Sequence, residues 1–152
     1  MCLLKIVPMA ENHIQKLTEI DRVCFEQPWT FDGLKAELFS ETACYFVAEK
    51  DGQAVGCAGM QSVCGECYID KVSVHPYFRR RGIAQALVQH LIQSALKTDS
   101  EFITLEVRKF NEPAISLYKK LGFEPVGLRK NFYTNPLEDA ILMTRYFKNK
   151  SL

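Results

Sequence analysis

Apolar and polar positions alternate over residues 2–7 and predict a first strand that ends at Pro8. The period then changes. From Glu11 to Phe25, Ile14, Leu17, Ile20, Val23 and Cys24 recur at helical spacing. Glu26-Gln27-Pro28-Trp29 breaks that helix, and Thr30 is placed to cap a short second one carrying Leu34, Leu38 and Phe39. Three strands follow. Residues 44–50 stop at Asp51-Gly52, a strong hairpin signal, and residues 53–63 return. Gly65-Glu66 marks the next turn, and residues 67–75 run to His75-Pro76, completing an antiparallel meander.

After Gly82 the pattern is helical again: Ile83, Leu87, Val88, Leu91, Ile92, Ala95 and Leu96 fall on one face, as for a helix packed on a sheet. Residues 102–107 predict a short strand. Asn111 caps a helix whose first turn tolerates Pro113 and whose inner face carries Ala114, Leu117, Tyr118 and Leu121, with Gly122 as its stop. Residues 123–128 and 138–147 predict a last pair of strands. The order β-α-α-β-β-β-α-β-α-β-β predicts an α/β fold: one domain over residues 1–152, with a mixed, mostly antiparallel sheet flanked by helices.

The 152 residues are one domain's length, and 47% hydrophobic with 24% charged residues is ordinary for a soluble globular chain. A formal net charge of +1 gives no global field toward nucleic acid or anionic lipid, so anion binding must be local. The apolar runs are too short for a membrane span, and the N-terminal stretch is too short for a signal peptide, so a cytoplasmic location is expected. Of the six cysteines, Cys64-Gly65-Glu66-Cys67 has a suggestive spacing, but one pair supplies two ligands where a structural zinc needs four. The expectation is no metal, and a turn whose two thiols face each other.

The sharpest chemical signal is the junction at 72–85. The strand Val72-Ser73-Val74 leads through Pro76 into Arg79-Arg80-Arg81, then Gly82, then Ile83-Ala84-Gln85 opening a helix. A helix start offers unpaired N–H groups and the positive end of the dipole. Gly82 lets backbone approach an anion, and guanidinium groups add charge-assisted bonds to phosphate oxygens. The segment predicts a pyrophosphate cradle. It lacks the glycines of a Walker loop or a dinucleotide fingerprint.

Here the chain resembles a family. Arg-x-x-Gly-x-Ala at 79–84, after Val-x-Val-x-Pro, is similar to the acetyl-CoA motif of the GCN5-related N-acetyltransferases (GNAT). Leu105-Glu106-Val107-Arg108, Asn111 and Ala114–Phe123 are similar to the second half of that fold. Phe25 with Pro28-Trp29, Arg129–Tyr133 and Glu138–Met143 resemble the subfamily that acetylates the N-terminal alanine of ribosomal proteins, the RimI type. Three positions depart from its pattern: Ala84 for a second glycine, Phe132 for a second tyrosine, and the Cys-Gly-Glu-Cys turn.

The resemblance implies acetyl-CoA as donor, no metal, and a protein N-terminus as acceptor, the alanine of a small-subunit ribosomal protein; nucleic acid and membrane are not expected partners. It implies that Glu106 is the catalytic base and Tyr118 the acid that protonates the leaving thiolate. The residues allow both. Glu106 ends a strand on the side opposite Ile103, Leu105 and Val107, and Tyr118 lies on an inner helix face. The backbone of Val72, Ser73 and Val74 can pair with an extended pantetheine arm and, where the strand splays, stabilise an oxyanion. Arg79, Arg80, Arg81, Gly82, Ile83, Ala84 and Gln85 would hold the pyrophosphate. Asn111 either caps its helix or also bonds the cofactor. Trp29, Tyr133 and Asp139 are candidates to orient the acceptor, Trp29 also reading as an apolar anchor between the early helices. Two other functions fit the same residues: acetylation of a small amine, and a CoA- or nucleotide-binding module without catalysis.

Overall fold

The computed structural model describes residues 3–147, so the predicted start of the first strand at Cys2 lies outside the described residues. The strands are β1 (Leu4–Pro8), β2 (Ala43–Lys50), β3 (Gln53–Val63), β4 (Glu66–Val74), β5 (Phe102–Arg108), β6 (Glu124–Tyr133) and β7 (Glu138–Tyr146). The α-helices are α1 (Ile14–Cys24), α2 (Phe31–Glu37), α3 (Ile83–Lys97) and α4 (Glu112–Lys120). Among the described residues the strands form one sheet in the order β1-β2-β3-β4-β5-β7-β6. Its pairs are antiparallel except β4 with β5. A connection through α3 makes that parallel pair possible, since parallel strands need a crossover. No helix among the described residues is long and apolar enough to cross a membrane.

Two cores flank the sheet. On one face Ile83, Leu87, Leu91 and Ala95 of α3, with Ile115 and Tyr118 of α4, pack on Met60, Ile69 and Leu105. On the other, Ile14, Leu17 and Ile20 of α1 and Leu34 of α2 pack on Tyr45, Val47 and Cys57. Thr30 caps α2 as expected, its hydroxyl accepting from Gly33 N at 3.0 Å.

The structure differs from the sequence reading in particulars. Val23 and Leu96 are exposed: each sits at the margin of its helix's apolar face. Phe39 lies beyond α2, which ends at Glu37, and is exposed. Cys64 and Gly65, at φ 52° and 82°, form the turn expected at Gly65-Glu66. Two positive φ values suit a tight hairpin and leave Glu66 to start β4. The two thiols of that turn do not face each other: Cys64 is exposed, whereas Cys67 is buried with its Sγ 3.2 Å from Ser100 Oγ. β6 continues five residues past its expected end at 128, because pairing with β7 carries the polar run Arg129–Asn131 through a bulge on an exposed edge.

Candidate functional site

β4 and β5 pair only at Glu66–Phe102, Cys67–Ile103 and Tyr68–Thr104, and then diverge. β5 stays bonded to β7 along its whole length, from Phe102–Tyr146 to Arg108–Ala140, so the gap opens on its β4 side. A cleft of about 650 Å³ fills the divergence, walled by Ile69–Val72 and Leu105–Arg108. β4 also carries a bulge at Asp70, where Lys71 pairs with Gly59 and Ile69 with Met60. The extra residue resets the alternation. Cys67, Ile69, Val72 and Val74 pack in the α3-side core, while Lys71 and Ser73 turn toward α1.

His75 N bonds Val55 O across β3, so by strand alternation the backbone groups of Val74 and Val72 point into the gap. Ser73 faces the other way: its hydroxyl lies 3.5 Å from Cys57 Sγ and its backbone faces β3. Of the three residues expected to meet a cofactor through their backbone, Val72 offers both its groups and Val74 its N–H, the Val74 carbonyl accepting from Arg79 Nε at 3.0 Å.

Glu106 stands at the mouth of the divergence with its side chain 7% exposed, so it is not a solvated edge carboxylate. The Tyr68 hydroxyl donates to Oε1, and Arg129 Nε of β6 forms an ion pair with Oε2 at 2.9 Å. Burial, and then the bond to Glu106, push the Tyr68 hydroxyl well above its usual pKa. Tyr45, in the α1-side core, donates to Oδ1 of the lining residue Asp70 at 2.8 Å. Its ring lies over Gly59, where an added Cβ would run into the ring carbons, so only glycine fits there.

α4 brings Tyr118 and Asn111 to the opposite side of the cleft. Tyr118 packs edge-on against Phe123, and burial, with a lesser contribution from Tyr133, pushes its pKa up to about 12. It therefore keeps its proton at neutral pH. Asn111 Oδ1 accepts from Ala114 N at 3.3 Å, so its cap role is realised, and it also lines the cleft. Tyr133 is held by Arg108, whose guanidinium stacks 4.4 Å from its ring and donates to Thr134 O, Pro136 O and Glu138 Oε1 at 3.2, 3.1 and 3.1 Å. The turn after Tyr133 is thereby fixed as a lip of the cleft. Asp139, an expected acceptor contact, is instead engaged with Asn131 N at 2.8 Å and does not line the cleft. Trp29 does line it, on the facing lip.

The segment 79–85 does not line the cleft but follows β4 at the end where the cleft opens. Arg79 is partly committed: Nε donates to Val74 O at 3.0 Å and a terminal nitrogen lies 3.4 Å from Cys24 Sγ. Arg80 is exposed with φ 62°, and Arg81 stacks on Tyr77 and Phe78. Gly82 takes φ 78° as the N-cap of α3, and an added Cβ there would meet nothing within 4 Å. No side chain caps the first turn of α3, so the N–H groups of Ile83, Ala84 and Gln85 have no side-chain partner there. Ile83 contributes its backbone alone, because its side chain is buried in the core.

A sequence model described as the acetyltransferase (GNAT) family matches residues 14–123, from the start of α1 past the end of α4. The chain belongs to that family. The ribosomal protein bS18-alanine N-acetyltransferase of Escherichia coli (strain K12) is 37% identical over 121 residues, 76% of this chain and 79% of that one. The N-alpha-acetyltransferase RimI of Mycobacterium tuberculosis is 31% identical over 137 residues, 86% of this acetyltransferase and 85% of the relative. The crystal structure of the ribosomal-protein-S18-alanine N-acetyltransferase from Escherichia coli superposes with a TM-score of 0.88 at 28% identity, covering 99% of each chain. The expected GNAT fold is thus the observed one, and the chain is an N-acetyltransferase.

Several residues of this acetyltransferase's cleft escaped the sequence reading. Tyr68 and Arg129 meet Glu106 from different strands, and no local spacing relates them. Lys71 had a signal: a lysine in phase with the buried Cys67 and Ile69 implies a bulge or a buried partner, and the structure has both.

Proposed function

We propose that this acetyltransferase moves the acetyl group of acetyl-CoA to the N-terminal α-amine of a protein, the alanine of a small-subunit ribosomal protein. The observation that carries this reading is the position of Glu106. It is a nearly buried carboxylate at the mouth of the β4–β5 divergence, with Tyr118 across the same cleft. The names of the Escherichia coli and Mycobacterium tuberculosis relatives support the acceptor. Such an acceptor puts the reaction in the cytoplasm.

The chain fits the donor. The uncapped first turn of α3, with open space at Gly82 and three exposed arginines before it, suits a pyrophosphate. The backbone edge at Val72, with the Val74 N–H beyond it, suits an extended amide-bearing arm. Acetyl-CoA supplies an acyl group already activated as a thioester.

An α-ammonium has a pKa near 8 and must lose a proton before it can attack. Glu106 takes that proton, through Oε2 when the exposed Arg129 swings away, while Tyr68 keeps the carboxylate oriented. The amine nitrogen bonds the thioester carbon, and one backbone N–H of β4, at Val72 or Val74, faces the oxygen where negative charge collects. As the C–S bond breaks, Tyr118 gives its proton to the departing sulfur. At a pKa near 12 it is fully loaded for that task.

The test is acetylation of a panel of acceptors with acetyl-CoA, read by mass spectrometry. Ala-initiated peptides are expected to be acetylated on the α-amine, and polyamines and free amino acids ignored. Turnover on small amines alone would leave the enzyme class standing and overturn the acceptor.

A further inference from the structure

Lys71 is a charged cleft residue that acetyl transfer does not use. Turned toward α1 by the Asp70 bulge, its side chain is 1% exposed and forms an ion pair with Asp21, which is fully buried. Its Nζ lies 5.1 Å from the centre of the Phe25 ring and 4.8 Å from that of Trp29. Asp21 Oδ2 also accepts the Trp29 backbone N–H at 3.1 Å. Two aromatic faces and a carboxylate around one ammonium are the components of a cation-binding cage. Here the chain fills the cage with its own lysine.

Phe25, Trp29 and Lys71 all line the cleft, and Phe25 and Trp29 are the two ends of the irregular segment between α1 and α2. That segment is one lip of the cleft, opposite the turn held by Arg108. Both of its ends are anchored on the same ion pair.

We infer that Lys71 is the built-in occupant of the Phe25–Trp29–Asp21 cage, fixing the acceptor-side lip and closing it to cationic side chains. The specificity half of this rests on the N-terminal acceptor proposed above. An acceptor whose first residue is cationic finds the cage occupied by like charge. An uncharged first residue meets only the exposed parts of the two rings. Lys71 is thus a positioning and specificity-determining residue rather than a catalytic one.

Trp29 is the chain's single tryptophan, so its fluorescence reads the lip without any turnover. Lys71→Ala empties the cage and leaves Asp21 with two rings. Acrylamide is expected to quench Trp29 more strongly. KM for an Ala-initiated peptide is expected to rise about tenfold with kcat and acetyl-CoA affinity retained, and the rate on Arg-initiated relative to Ala-initiated peptide to rise about tenfold. Trimethylammonium, which cannot itself be acetylated, is expected to restore the shielding of Trp29. Because a lone buried carboxylate could prevent folding, Asp21→Leu with Lys71→Met removes both charges together, a change buried pairs often tolerate. This double variant is expected to fold and to show the same quenching and KM changes. Wild-type quenching together with wild-type KM in whichever variant folds would overturn the inference. If the wild type acetylates no peptide, the acceptor reading falls, while the quenching still decides the lip.

Discussion

Arg129 Nε holds Glu106 Oε2 at 2.9 Å, yet the two partners differ sharply in exposure, 55% for the Arg129 side chain and 7% for that of Glu106. The carboxylate is fixed by its strand and by Tyr68, and the arginine is the part free to move. An exposed partner makes the pair weak, about 0–1 kcal/mol. Arg129→Ala is therefore expected to lower stability by less than about 1 kcal/mol in denaturant unfolding. Turnover should stay within a few-fold of wild type. A collapse of turnover would mean that Arg129 touches the acceptor.

Tyr118→Phe removes the proton donor and keeps the ring against Phe123. Turnover is expected to fall by about 10²-fold or more, with acetyl-CoA affinity unchanged by calorimetry. Burial raises the Tyr118 pKa to about 12 from an ordinary value of 10. The wild-type rate should then show no alkaline fall from this group below pH 10. The shift also fixes a sign for stability. The folded state holds the proton more tightly, so the Tyr118 contribution is complete below pH 10 and is lost as pH rises from 10 through about 12.

Gly82→Ala separates strain from binding. A Cβ there meets no protein atom within 4 Å, but φ is 78°. The expected stability cost is about 1 kcal/mol, from backbone conformation alone. Acetyl-CoA affinity should fall further, by about tenfold, if one backbone N–H contact to phosphate is lost. An affinity loss no larger than the stability loss would remove this loop from the cofactor site.

Arg108→Ala releases Thr134, Pro136 and Glu138 together. The lip carrying Tyr133 is expected to loosen, raising KM for the peptide with little change in acetyl-CoA affinity. Glu138 stays below the usual carboxylate range, chiefly because Phe110 N–H donates to it and secondarily because Arg108 does. The lip's contribution is therefore present above the ordinary carboxylate pKa. It should be lost only as pH falls through the lower folded value, which proteolysis at Thr134–Pro136 across pH would report.

Periodicity made most of the fold legible. Alternating residues on β5 placed Glu106 opposite Leu105 and Val107, and the helical repeat on α4 placed Tyr118 inward, as the structure has them. The loop proposed to hold an anion stands out for a local reason: strand end, arginines, glycine and helix start are contiguous in sequence. The partners of Glu106 were not, because Tyr68 and Arg129 reach it across sheet pairings that no single-strand pattern encodes. Lys71 was hidden by one bulged residue, which moved it from the apparent α3 face to the α1 face. Asp139 is a candidate to orient the acceptor by sequence, but its carboxylate accepts from Asn131 N on the neighbouring strand, a pairing no local pattern encodes.

The central claim is that Glu106 deprotonates a peptide α-amine at the β4–β5 divergence. Its most direct measurement is the pH–rate profile of Glu106→Gln beside wild type on an Ala-initiated peptide. At pH 7 the variant is expected to be slower by about 10²–10⁴-fold, and the gap should narrow toward pH 9 as free amine accumulates without help. A wild-type rate at pH 7 would contradict the account.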